Sequence, residues 1–243
     1  MASECPRHLF AFWTGDNRMS ENRRRSLGSF ALTGLEPVLV DSANLGQWVA
    51  PERPLHRAYD LLSAVHRSDY LRPYFMYHHG GGYADIKPQT GSWLPTVERL
   101  QASRRLIGAG YREIRGGVVN LDRSLVAGGA FILSERVHPR TARAATNVMR
   151  ALRPLLIGNG AFYFKPRTGY ARRWLNEVER RLDLLLPELK RNPPSNPRDR
   201  SLSGSGYPVP WAFLMGDVNA PLSLIHAPRL LRTLPRPLFD DYE

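Results

Sequence analysis

The chain has 243 residues, of which 42% are hydrophobic and 23% charged, a composition that excludes wholesale disorder and suits one sizeable α/β core. The formal net charge is +12, and arginine supplies all of the 34 basic residues except Lys87, Lys165 and Lys190. The single cysteine, Cys5, excludes an internal disulfide and a multi-cysteine metal site, and no run approaches the ~18 uninterrupted apolar residues of a spanning helix.

The arginines are scattered, with local groups at 23–25, 104–105, 172–173 and 180–181. The last two pairs lie in a stretch that reads as helical, so solvated helix faces outweigh a nucleic-acid surface. Peripheral contact with a membrane surface stays open. With no apolar leader at the N-terminus the reading is of a soluble, cytoplasmic chain, and the sequence leaves its oligomeric state open.

In chain order, residues 8–13 form an apolar and aromatic run ending in Thr14, Gly15 and Asp16, which predicts a first buried strand leaving the sheet by a turn. A polar helix is expected over 20–30 and a second strand over 36–40. Residues 55–79 place Leu61, Leu62, Val65, Leu71, Phe75 and Met76 at helical spacings broken by Pro73, which predicts two helical pieces, the second capped by Ser68. Gly80, Gly81 and Gly82 stop it, and an extended path resumes at Tyr83. Strands follow at 105–107, 117–120 and 125–133, then a helix over 141–152 capped by Thr141, a strand over 155–164 and a helix over 168–190. Residues 192–206, rich in Pro, Ser, Arg and Gly, read as a mobile loop before a C-terminal flap over 207–243.

The informative stretch is 68–87, SDYLRPYFMYHHGGGYADIK. Acids and an arginine stand close together in it, residue types that can hold hydroxyls, phosphates and cations. Asp69 can accept two hydroxyl hydrogen bonds, Arg72 can fork onto phosphate oxygens, and Asp85 at a strand end can hold a divalent cation. One helical turn separates Asp69 from Arg72, so both can face one cleft, and the glycines permit a sharp turn and a close backbone approach to ligand. The adjacent His78 and His79 point in different directions on a helix and read as structural.

This stretch resembles the donor-site block of the DxD-motif glycosyltransferases, which include capsular polysaccharide synthesis proteins and the sugar-transferring domains of large bacterial toxins. Asp69, Arg72, Gly81, Gly82, Tyr83 and Asp85 carry the resemblance. More weakly, Trp13 in FWTGD resembles the strand-end tryptophan beneath the donor base, Asn159 in LIGNGAFYFKP the polar residue beside the sugar, and YPVPWAFLMGDV, with Trp211, the flap that closes on the donor. The resemblance implies a single GT-A domain over 1–243: a Rossmann-like, mixed but mostly parallel sheet with helices on both faces and the donor at the strands' carboxyl ends. It implies transfer of a sugar from a nucleoside-diphosphate sugar to a hydroxyl acceptor on a glycan or polysaccharide, with retention of configuration.

The family's second acid is replaced by Lys87, giving Asp85-Ile86-Lys87. Either Asp85 holds Mn²⁺ or Mg²⁺ with help from Asp217 or His226, which is the reading preferred, or the Lys87 ammonium neutralises the diphosphate itself. An alternative is a catalytically impaired relative whose basic surface binds nucleic acid or an anionic polysaccharide.

Overall fold

A computed structural model describes residues 5–240. The elements in chain order are β1 (His8–Trp13), α1 (Glu21–Gly28), β2 (Glu36–Asp41), α2 (Ala64–His78), β3 (Gly81–Ala84), α3 (Leu94–Ala102), β4 (Gly108–Arg112), β5 (Ala130–Ile132), β6 (Glu135–Val137), α4 (Pro139–Ala151), β7 (Ile157–Phe164), α5 (Gly169–Arg191), α6 (Gly216–Ile225) and β8 (Leu230–Leu231). Six strands pair in the order β2-β1-β3-β7-β4-β8. All are parallel except β7, which opposes both its neighbours. The fold is thus α/β with a mixed, mostly parallel sheet.

Successive strand residues point to opposite faces, so each strand feeds two cores. In β1, Phe10 and Phe12 join one core, which α2, α5 and α6 close with Phe75, Trp174 and Val218. Leu9 and Ala11 join the other, closed by Val97 and Leu100 of α3. In β7, Phe162 and Phe164 alternate in the same way with Ala161 and Tyr163. Helices therefore cover both faces, as expected for parallel strands buried on each side. The long helix α5 starts where the sequence predicts: the Thr168 side chain accepts the Ala171 N–H, and Tyr170, Trp174, Val178, Leu182 and Leu185 form its buried stripe.

Five expectations are corrected. Before the glycines a short 3₁₀ turn at Tyr59–Leu61 precedes one α-helix, α2, which runs unbroken through Pro73 and begins after Ser63 rather than at Ser68. Burial of Tyr70, Leu71, Tyr74 and Phe75 holds Pro73 inside it, although the proline leaves the Asp69 carbonyl without its helical donor. The strand expected at 105–107 begins at Gly108, and no strand forms at 117–120. Within 125–133 only Ala130–Ile132 is a strand, paired with Glu135–Val137, because the chain doubles back at Ala127 (φ 50°) and Gly128 (φ 78°) and again at Leu133 (φ 51°). Helix α4 is capped by the His138 ring, with Pro139 at its first position, rather than by Thr141.

Residues 192–206 carry no helix or strand, yet buried Asp199 cross-ties them, accepting from the Ser195 N–H at 2.8 Å, the Ser205 hydroxyl at 2.7 Å and the Ser203 hydroxyl. Among the described residues no helix is long and apolar enough to cross a membrane.

Candidate functional site

Helix α2 buries its Asp69 flank, and Arg72 follows one turn later on the same side. Gly80 (φ 67°) and Gly81 (φ 85°) then reverse the chain into β3, between β1 and β7. A Cβ at Gly80 would lie 2.6 Å from the Pro166 nitrogen and one at Gly81 2.8 Å from the His8 carbonyl oxygen. These glycines therefore serve close packing of backbones at the amino end of β3, not approach to a ligand. Four residues of strand carry the chain to the opposite edge, where Asp85 emerges beside Arg72.

There the charged groups meet. Arg72 Nη2 donates to Asp85 Oδ1 at 3.1 Å and Nη1 lies 3.4 Å from Asp69 Oδ1. The Tyr83 hydroxyl donates to Asp85 Oδ1 at 2.8 Å, and Lys87 Nζ to Oδ2 at 3.0 Å. Arg72 Nη1 also reaches the Asn159 carbonyl at 3.4 Å, and its guanidinium lies 4.6 Å from the centre of the Tyr83 ring. The Asp85 N–H donates to the Gly160 carbonyl, and a Cβ at Gly160 would stand 3.1 Å from Asp85 Oδ2, so the carboxylate rests directly on the β7 backbone. Arg72 Nε is buried without an acceptor, as is Arg67 Nε.

No family model, curated protein or solved structure matches the chain.

The two acids differ in kind. Burial pushes Asp69 up to about 6, with Arg72 pulling it down and Asp85 pushing it further up. Burial acts on Asp85 in the same sense, but Arg72, Lys87 and the Tyr83 hydroxyl overcome it and hold this carboxyl below the ordinary range. Burial opposes the charge on Arg72 too, but Tyr83, Asp85 and Asp69 outweigh it and keep the guanidinium protonated. One carboxylate is thus fixed as an anion while its neighbour takes a proton near neutrality, the separation of roles that acid–base sites exploit.

Trp13, Lys87 and Asn159 fall at this edge. Trp13 ends β1, its Nε1–H donates to the Asn17 carbonyl, and Arg23 lies over its ring at 5.4 Å while reaching the Ile86 carbonyl at 3.5 Å. Asn159 Oδ1 accepts from Asn219 Nδ2 at 2.8 Å. The structure adds Arg23, Arg67, Tyr111 and Asn219 to the surroundings. Arg67 Nη1 donates to the Thr14 carbonyl at 3.4 Å, and the Tyr111 hydroxyl accepts the Gly160 N–H at 3.3 Å. Arg23 stood in the 23–25 arginine group and Arg67 two residues before Asp69; these positions were the only sequence signals.

The metal ligands expected from the C-terminal segment do not join. Asp217, 1% exposed, is buried near Arg181, a fully buried arginine that donates to Glu177 and to the Phe213 and Leu133 carbonyls. His226 ends α6 against the Tyr170 ring, 5.4 Å between centroids. Among the described residues no three His, Cys, Asp or Glu side chains group as a metal site, so Asp85, Asp217 and His226 do not form the set expected of them. Trp211 is 52% exposed, with Arg200 over its ring at 5.2 Å.

A cavity of about 690 Å³ lies elsewhere, between His8, Trp48, His78, His79 and Arg167. His8 opens β1, so this cavity is at the amino ends of the strands, roughly 20 Å of β-strand from the charged cluster. The convergence of ionised groups, rather than this cavity, marks the candidate site: one guanidinium and one ammonium are held on one carboxylate.

Proposed function

We propose that the chain is a glycosyltransferase that moves a sugar from a nucleoside-diphosphate sugar to a hydroxyl acceptor on a glycan, with the donor seated at the carboxyl ends of β1 and β3. One observation carries the reading. Arg72 is clamped between Asp69 and Asp85 by its two terminal nitrogens and keeps a buried Nε–H with no acceptor. A guanidinium fixed in this way is preorganised to add a phosphate oxygen.

The roles follow from the chemistry of each group. Arg72 and Lys87 lie where negative charge grows on the departing diphosphate as the anomeric C–O bond breaks, and stabilise it there. Asp85 holds both cations in place and is not itself consumed. The Asp69 carboxyl, protonatable near neutrality, meets sugar hydroxyls as acceptor or donor. Trp13 offers an aromatic surface to the base. The new C–O bond forms to the acceptor oxygen, whose proton goes to the departing phosphate.

The test is transfer of radiolabelled sugar from a panel of nucleotide sugars by wild type and Asp85→Ala. Loss of at least about a hundredfold in the variant supports the reading, since a preorganised charged group is worth that much. Equal rates overturn it.

A further inference from the structure

We infer that this site, on the glycosyltransferase reading above, holds the donor diphosphate without a divalent cation, the Lys87 ammonium taking the place that such a cation would fill. The residues present do not fit a metal. Mg²⁺ and Mn²⁺ want about six oxygen ligands at close range. Asp85 Oδ1 already accepts from Tyr83 at 2.8 Å and Arg72 at 3.1 Å, and Oδ2 from Lys87 at 3.0 Å. A carboxylate offers about four lone-pair positions, and Oδ2's other flank abuts Gly160, where even a Cβ would stand only 3.1 Å away.

Other oxygens are committed as well. Asp69 lies against Arg72 at 3.4 Å, Asn159 Oδ1 accepts from Asn219, and Asp217 is buried near Arg181. A dication seated on Asp85 would also stand beside two fixed positive charges, Arg72 and Lys87, in a largely dry setting where repulsion is strong.

The same residues suit a diphosphate. Lys87 stands two residues after Asp85, at the position of the motif's second acid, so one replacement removes a metal ligand and installs a cation. Its Nζ lies 4.5 Å from the centre of the Phe239 ring, a cation–π contact that supports the ammonium. Arg72 contributes its unpartnered Nε–H, and Arg23, bonded to the Ile86 carbonyl beside Lys87, adds a further guanidinium at the same edge. An ammonium has three donors and a guanidinium five, so both can keep Asp85 and still engage phosphate oxygens.

The experiment is calorimetric titration of the full chain with UDP, GDP, ADP, CDP and dTDP, each in excess EDTA and in Mn²⁺. Wild type should bind at least one of them with affinities that agree within about threefold between the two conditions, while Lys87→Asp should lose about tenfold or more in EDTA and recover in Mn²⁺. Binding by wild type only in Mn²⁺ overturns the inference and leaves the glycosyltransferase reading standing. Binding of none of the five in either condition overturns that reading and the inference with it. The wild-type comparison needs no variant to fold. Loss of the Mn²⁺ electron paramagnetic resonance signal on adding wild-type chain alone would independently reveal a metal site and count against the inference.

Discussion

The Arg72 guanidinium on α2 donates to the Asp85 carboxylate at the end of β3 over 3.1 Å, with side chains only 12% and 21% exposed. This pair locks a helix to a strand end, and it sets the charge of the whole site. Asp69 leans on the same guanidinium, so removing Arg72 leaves two carboxyls in a desolvated space, with Lys87 still paired to Asp85.

Arg72→Ala should therefore destabilise the fold by about 3–5 kcal/mol, the usual consequence of leaving a buried charge unpaired. Arg72→Lys should recover part of this, because an ammonium satisfies one carboxylate but lacks the fork to span both. Urea unfolding of both variants checks it. A loss below about 1 kcal/mol in Arg72→Ala would mean the ion pair contributes no more than a surface one.

Gly158 and Gly160 on β7 separate stability from binding. A Cβ at Gly158 would fall 1.9 Å from the Tyr111 ring, which is buried and bonded to the Gly160 N–H, so Gly158→Ala should cost about 3 kcal/mol or more through overpacking. At Gly160 the nearest atom is Asp85 Oδ2 at 3.1 Å. That oxygen can shift by a few tenths of an ångström, so Gly160→Ala should cost about 1 kcal/mol or less while weakening nucleoside-diphosphate binding about tenfold. Thermal melts paired with calorimetric binding would test the contrast. Equal effects of the two substitutions on both readouts would show that Gly160 does not position Asp85.

Tyr83→Phe keeps a ring stacked between Phe12 and Phe162 and removes the hydroxyl that donates to Asp85 Oδ1. That hydroxyl is one of three groups holding the Asp85 carboxyl below its ordinary range, after Arg72 and Lys87. Without it the carboxyl takes a proton at higher pH, so the acid limb of donor binding should move upward while binding above neutrality changes little. Calorimetric affinities between pH 4 and pH 8 would show the shift; superimposable profiles would show that the hydroxyl leaves Asp85 unaffected.

Much of this arrangement was legible in the chain because Asp69, Arg72, Tyr83, Asp85 and Lys87 lie within 20 consecutive residues, where helix periodicity and a glycine stop fix their relation. The core stripe of α5 and the run of β7 were equally readable from spacing. Arg23, Tyr111 and Asn219 were not, since only tertiary packing brings α1 to Ile86, β4 to Gly160 and α6 to Asn159, and local pattern does not encode it. The glycines misled in another way: their sharp turn was foreseen, but they admit the His8 and Pro166 backbones rather than a ligand. Asp217 was misplaced because an acid's direction depends on which side of its helix is packed, and α6 is buried nearly throughout, from Gly216 to Ser223.

Asp217 supplies the last prediction. Burial pushes its carboxyl up to about 6 from the ordinary 3.8, with Arg181 and Ser124 pulling the other way, and its Oδ1 has no hydrogen-bond partner. The folded chain thus binds this proton more tightly than the unfolded one. Wild-type stability from Asp217 is present at low pH and is lost as pH rises through about 6. Asp217→Asn mimics the protonated carboxyl at every pH, so at pH 8 it should exceed wild type by up to about 3 kcal/mol, with the difference shrinking toward zero by about pH 4. His66 moves oppositely: burial depresses it to about 4, so its contribution is lost as pH falls below 6.5, but it is present in both proteins and cancels in the difference. Urea unfolding at pH 8, 6 and 4.5 gives the curve. A variant less stable than wild type at pH 8 would show that the Asp217 anion supports Arg181 more than its burial costs, and the buried carboxylate would then be a structural charge that α6 requires.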